Sequence, residues 1–169
     1  ESVPLADLTK MLGKKPPQRV HGTAVFLTAD PETAPTALMH NLKHNHVLHN
    51  TNILLTIKTA QVPYVPESEQ ITVETLSDDF RRIVANLGYM QSPRIPYLLA
   101  QARRQGCEFE LMQTSFFLGR RTIKASAQSG MPLWQDGLYI ALARSAANAT
   151  DFFHIPYNRV VEMGSQVTV

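Results

Sequence analysis

A strand, a helix and a second strand follow one another over residues 20–57, and this order constrains the fold most. Residues 20–28 are β-branched and apolar with a continuous central run, which is typical of a strand buried on both faces of a sheet. Apolar side chains four apart predict a helix over about 35–47. After a turn predicted at 50–52, residues 53–57 have strand character. This order predicts a βαβ crossover and a parallel sheet.

The remaining pattern adds a hairpin and further helices. Residues 71–76 alternate with period two, and a turn at Asp78 and Asp79 leads into 80–87 as an antiparallel strand, although the alanine and arginines there also allow a helix. A further helix is expected to begin at Pro93 and Pro96 and to end at Gly106, followed by one or two strands over 109–123. The longest helix is expected near Pro132, with Trp134 at the start of its apolar stripe. A compact turn at 151–156 and strands at 159–163 and 166–169 complete the pattern. The predicted fold class is α/β, with a mixed, mostly parallel sheet and about three helices.

Length and composition favour one soluble globular domain. The chain has 169 residues, of which 44% are hydrophobic and 18% charged. Residues 1–18 are polar and marked by prolines, so we interpret them as a connector from an upstream part and 19–169 as the domain. The net charge of +2 is too small to indicate a nucleic-acid partner. The longest apolar run, residues 138–143, is far shorter than a membrane-spanning helix.

The chain carries none of the common catalytic motifs. It has no glycine-rich phosphate loop and no nucleophile elbow. The single cysteine, Cys107, excludes an intramolecular disulfide and fits a reducing compartment. It follows a predicted helix end beside Glu108, where nothing would lower its pKa, so a small buried thiol is expected. We therefore predict a non-enzymatic domain without a cofactor.

Two histidines are the only metal-ligand candidates. His40 and His44 share a helix face at a spacing of four, which suits one zinc ion. A third ligand is required, and no Cys, Asp or Glu lies between Lys43 and Lys58. An exposed polar helix face explains the pair better, so we predict no metal site.

Basic residues are concentrated in one segment. Residues 81–124 carry eight lysines and arginines against two acidic residues. Arginines bind phosphate through paired hydrogen bonds, which makes Arg81, Arg82 and Arg159 candidates for an anion or nucleotide site. The alternative is a set of scattered, solvated arginines.

Several long segments, in order along the chain, resemble one known family. The chain is similar to the cytosolic C-terminal domain of bacterial KUP (KUP/HAK/KT family) low-affinity potassium uptake transporters over residues 19–169. The segments that carry the resemblance are 21–26 (HGTAVF), 38–45 (LMHNLKHN), 114–118 (TSFFL), 130–134 (GMPLW), 151–156 (DFFHIP) and 158–164 (NRVVEMG).

The resemblance implies a role in potassium transport. It implies a transmembrane part upstream of Glu1 that imports potassium with a proton, and a regulatory or assembly domain here, at the cytoplasmic face of the bacterial inner membrane. It also implies a universal-stress-protein-like fold and a homodimer. The alternative is a nucleotide sensor that binds cyclic di-AMP or an adenine nucleotide. Where relatives often have Glu after the Leu-Gly-Arg stretch, this chain has Arg121.

Overall fold

A six-stranded sheet forms the centre of the computed structural model, which describes residues 3–119 and 150–163. The strands are β1 Gln18–Leu27, β2 Val47–Ala60, β3 Ile71–Thr75, β4 Phe80–Gly88, β5 Thr114–Gly119 and β6 Val160–Met163. Their spatial order is β3-β4-β2-β1-β5-β6, in which β3 is antiparallel to β4 and the other neighbours are parallel. The predicted mixed, mostly parallel α/β sheet is confirmed.

Within residues 3–119, four α-helices flank the strands. They are α1 Leu5–Lys14, α2 Thr36–His40, α3 Glu67–Gln70 and α4 Ile95–Arg104, and α2 continues into a π-helical turn, Asn41–Asn45. The helix predicted over 35–47 is therefore confirmed, and so are the parallel β1–β2 pair that it connects and the β3–β4 hairpin. The helical interpretation of 80–87 is wrong.

Helix α4 begins and ends as its sequence predicts. Pro96 lies in the first turn, where a missing N–H costs nothing. Gly106 follows the helix with a φ of +92°, the left-handed conformation that glycine adopts without strain. Leu98, Leu99 and Ala102 are buried, so the predicted inward face is confirmed.

The turn predicted at 50–52 is wrong, because β2 continues through it. Asn52 is completely buried in the strand. Its side-chain amide donates to the carbonyl oxygen of His49 at 2.8 Å, and its backbone N–H donates to that of Asp79 at 2.8 Å. The contacts with Asp79 therefore hold Asn52 in the strand, although its side-chain oxygen has no hydrogen-bond partner among the described residues. The irregularity lies instead in β1, where the pairing register shifts between Val20 and Thr23.

The proline-marked segment interpreted as a connector contains a helix that the sequence analysis did not predict. In α1, Leu5 and Leu8 are buried against the sheet. The backbone N–H of Leu5 donates to the carbonyl oxygen of Glu32 at 3.0 Å, and Ala34 donates to Val3 at 2.9 Å. The domain boundary at residue 18 stays a prediction, but at least part of the preceding segment packs on the domain.

The sheet has a separate apolar core on each face. Alternation along β1 sends Val25 and Leu27 to one face and Ala24 and Phe26 to the other. The first core includes α4, and the second includes α1 and α2.

Several expectations fall outside the described residues. This group consists of the long helix near Pro132 with Trp134, residues 120–123 of the segment 109–123, Arg121, and the strand at 166–169. The compact turn at 151–156 is described, and it is confirmed by a left-handed His154 with a φ of +55°. No helix in residues 3–119 and 150–163 is long and apolar enough to cross a membrane.

Candidate functional site

Arg82 joins three segments of the chain. Its guanidinium donates to Glu74 Oε2 on β3 from Nε at 3.0 Å and to Glu32 Oε1 from Nη1 at 2.9 Å. Nη1 also donates to the carbonyl oxygen of Pro31 at 3.0 Å. The hydrogen bond with Glu74, reinforced by the charges of Glu74 and Glu32, raises the pKa of Arg82. An anion that bound Arg82 would have to replace these two carboxylates.

The neighbouring Arg81 is committed to the hairpin turn. Its guanidinium donates to the carbonyl oxygens of Ser77, Asp78 and Phe80, at the amino end of β4. It therefore closes the turn between β3 and β4 rather than pointing freely into solvent.

The third predicted arginine lies elsewhere. Arg159 is half-buried in a single turn of 3₁₀ helix, Tyr157–Arg159, that precedes β6. β4 and β6 are separated by three strands, which corresponds to about 19 Å across the sheet. The structure does not bring Arg159 together with Arg81 and Arg82, and the anion or nucleotide site stays a prediction.

A cleft of about 550 Å³ opens at the amino end of β5, and it contains a cation that the sequence analysis did not single out. Arg103 of α4 lies with its guanidinium carbon 5.7 Å from the centre of the Phe109 ring. Glu108 and Glu110 also line the cleft, so both signs of charge are present. Gly22 also lines the cleft with a φ of +103°, and a Cβ there would approach the carbonyl oxygen of Gln113 to 2.6 Å. The only sequence signal for Arg103 as a residue of this cleft is its position in the basic segment 81–124.

Cys107 also lines this cleft but is not an activated nucleophile. The residue is buried as predicted, and burial raises the pKa of its thiol although the charge of Arg81 opposes this shift. The thiol is therefore protonated near neutral pH.

A second cleft, of about 410 Å³, lies between the end of α1 and the β3–β4 turn. Arg19 and Asp79 form an ion pair in its wall, and Ser77 Oγ donates to Asp79 Oδ1 at 2.7 Å. Burial alone would raise the pKa of Asp79, but hydrogen bonds from Ser77 and Arg19, with the charge of Arg19, lower it below its ordinary value. The pair connects the start of β1 to the hairpin.

The two candidate metal ligands are close but have no further ligand among the described residues. The rings of His40 and His44 are 5.3 Å apart, centre to centre. Residues 3–119 and 150–163 contain no group of three or more His, Cys, Asp or Glu side chains that could hold a metal ion. A third histidine, His49, packs edge-on against Phe117 at 5.8 Å, and burial lowers its pKa, which keeps the imidazole neutral.

These features define the class of protein, which is a mixed α/β domain. Arg82 in β4 and Arg19 at the start of β1 form ion pairs with other segments of the same domain. The chain belongs to the family of the K+ potassium transporter C-terminal domain, whose model matches residues 21–169. The resemblance found in the sequence is confirmed.

Full-length relatives are much longer than this chain. A "Probable potassium transport system protein Kup" of Caulobacter vibrioides (strain NA1000 / CB15N) is 58% identical over 169 residues, which are 100% of this chain and 25% of the relative. The "Kup 1" protein of Bradyrhizobium diazoefficiens is 59% identical over 167 residues, again 25% of its length. The chain thus spans about a quarter of these relatives. No solved structure matches, and the likeness to universal stress proteins stays a prediction.

Proposed function

We propose that this chain is the cytosolic C-terminal domain of a potassium:proton symporter, where it serves assembly or regulation and does not conduct the ion. The observation that carries the proposal is the similarity over the whole chain to potassium transport proteins about four times as long. Under this proposal the transmembrane part lies upstream of Glu1, and the domain faces the cytoplasm beneath the inner membrane.

The use of charged groups supports a non-catalytic role. Arg82 is held by two carboxylates, and Asp79 is held by Arg19 and Ser77. The Cys107 thiol is buried and neutral. These groups stabilise the fold, and none forms a nucleophile paired with a base.

Helix α1 is the element that would connect the domain to an upstream membrane part. It precedes β1 directly and packs on the second core through Leu5 and Leu8. A domain that contacts two states of a transporter with different affinity shifts the equilibrium between them by that difference. Regulation through α1 therefore requires that the domain contact the two states with different affinity.

The test compares full-length transporters in cells that lack their own potassium uptake. One variant carries Phe26→Asp, which places a charge in the second core and unfolds the domain. The matched control carries Lys58→Asp at an exposed position of β2. We expect Phe26→Asp to reduce either the amount of transporter in the membrane, which indicates assembly, or the rubidium uptake per molecule, which indicates regulation. Uptake and abundance equal to those of the control would contradict the proposal.

A further inference from the structure

The outer face of α1 carries exposed lysines. Lys10 and Lys14 are one helical turn apart and both are exposed, and Lys15 follows directly. Met11 lies beside them with 63% of its surface exposed. On the inner face of the same helix, Leu5 and Leu8 are buried. The exposed side chains of the helix thus include Lys10, Lys14 and Met11, together with Asp7 and Ala6.

Lys10 and Lys14 have no anionic partner among the described residues, whereas three of the described arginines do. Arg19, Arg82 and Arg104 each form ion pairs with carboxylates. In residues 3–119 and 150–163, no ion pair or hydrogen bond involves the side chain of Lys10 or Lys14. Asp7 is the single carboxylate within α1. The face thus keeps a net positive charge that its own domain does not neutralise.

We propose that this lysine face of α1 lies on the anionic headgroups of the bilayer. The proposal rests on the proposed function, because α1 is then the segment between the membrane-embedded part and the sheet. Charge complementarity favours the bilayer surface as the binding partner of this face, since the cytoplasmic leaflet is negatively charged and attracts basic segments next to a membrane span. Met11 adds an apolar group that enters the boundary between headgroups and acyl chains.

The expected strength of the contact between α1 and the bilayer is sufficient for a domain that is already attached to the membrane. Each lysine near such a surface raises the docking equilibrium constant about fivefold, so Lys10 and Lys14 together contribute about 25-fold. An interaction of this size hardly holds a freely diffusing domain, but attachment to the membrane keeps the effective concentration high. The face then sets the orientation of the domain, because the buried side of α1 is fixed to the second core.

The test attaches the 169-residue chain to vesicles in place of the membrane part. An amino-terminal histidine tag binds a nickel-chelating lipid, and an environment-sensitive fluorophore at Met11→Cys reports contact with the bilayer. Cys107 is only 1% exposed, so labelling is selective. Vesicles with phosphatidylglycerol are compared with vesicles of phosphatidylcholine alone.

We expect a blue-shifted, stronger emission on phosphatidylglycerol, lost at about 1 M salt, where the screening length falls to about 3 Å. Lys10→Gln/Lys14→Gln should lower the docking constant about 25-fold. The matched control, Arg94→Gln/Arg104→Gln, removes one exposed charge just before α4 and one at its end, and should leave docking within about twofold, because these groups lie outside α1.

Equal emission on the two kinds of vesicle, or equal losses in the two double variants, would overturn the proposal. The assay contains no transport step, so its failure would leave the proposed function untouched. Failure of the uptake experiment would in turn remove the reason for placing α1 at a membrane.

Discussion

Helices α1 and α4 each have ten residues and cover opposite faces of the sheet, but they are attached in different ways. In α4 the side-chain amide of Gln101 donates to Gln70 Oε1 at 2.9 Å in a buried contact, and Gln105 donates to the carbonyl oxygen of Ile71 at 3.1 Å. In α1 the described attachment consists of apolar side chains and backbone bonds near its first turn. The difference predicts that α4 is held more firmly than α1, although both helices contribute buried side chains to a core.

The largest effect should follow from a cavity beneath α4. Leu99 is completely buried in the first core, so Leu99→Ala should lower the free energy of unfolding by about 3–5 kcal/mol. Urea unfolding followed by circular dichroism measures this loss. A cost of about 2 kcal/mol or less would show that α4 is held no more firmly than α1 is expected to be.

The same substitution in α1 should cost less. Leu8→Ala creates a cavity in the second core, but its cost is limited by the free energy that docks α1, because beyond that limit the helix leaves the sheet. We expect a loss of about 2 kcal/mol. Hydrogen exchange gives an independent measure, since α1 amides should exchange through local opening and α4 amides only through global unfolding. Equal protection of the two helices would contradict the comparison.

A smaller effect on stability is expected where the loop that is hydrogen-bonded to α1 contacts the sheet through Arg82. Arg82→Ala removes the ion pairs with Glu32 and Glu74 from a side chain that is mostly buried, and should cost about 1–2 kcal/mol. Arg104→Ala is the matched control, because its pair with Glu67 is exposed and should contribute less than about 0.5 kcal/mol. Thermal unfolding of the two variants provides the measurement. Equal costs would show that burial of Arg82 does not strengthen its bonds.

The smallest effect is a dependence of stability on pH at the far end of α1. The pKa of Asp79 is lower in the folded chain, so its contribution is present above the unfolded value, near 4, and is lost as the pH falls through the folded value. Asp79→Asn should therefore cost up to about 1 kcal/mol at pH 7 and less at pH 3, since the site is partly exposed. Urea unfolding at the two pH values tests this. A cost that does not change with pH would assign the loss to packing rather than to charge.

The elements that could be predicted from the sequence have local causes. The βαβ order, the hairpin and the ends of α4 follow from apolar periodicity, prolines and Gly106. The errors have distant causes. Asn52 is kept in a strand by Asp79, 27 residues away, and one partner of Arg82 lies 50 residues away. Such partners are set by the tertiary fold, so the sequence indicated the residue types of a phosphate site but not their carboxylate neighbours.

Helix α1 was missed for a different reason. Its flanking prolines and lysines resemble a linker, while the leucines that bury it are a short and weak helical signal. A ten-residue helix is only marginally stable by itself, and the surface of the sheet supplies the rest.

The path of α1 across the sheet also determines how the domain responds to tension. The helix starts beside Glu32, beyond the carboxyl end of β1, and ends near the β3–β4 turn at the opposite edge. A pull on the amino terminus therefore loads the bonds at Val3 and Leu5 first and peels α1 away turn by turn. The hydrogen bonds between β1 and its neighbours bear load together only after α1 is gone. Under tension, helix α1 is therefore expected to detach and unfold before the sheet does.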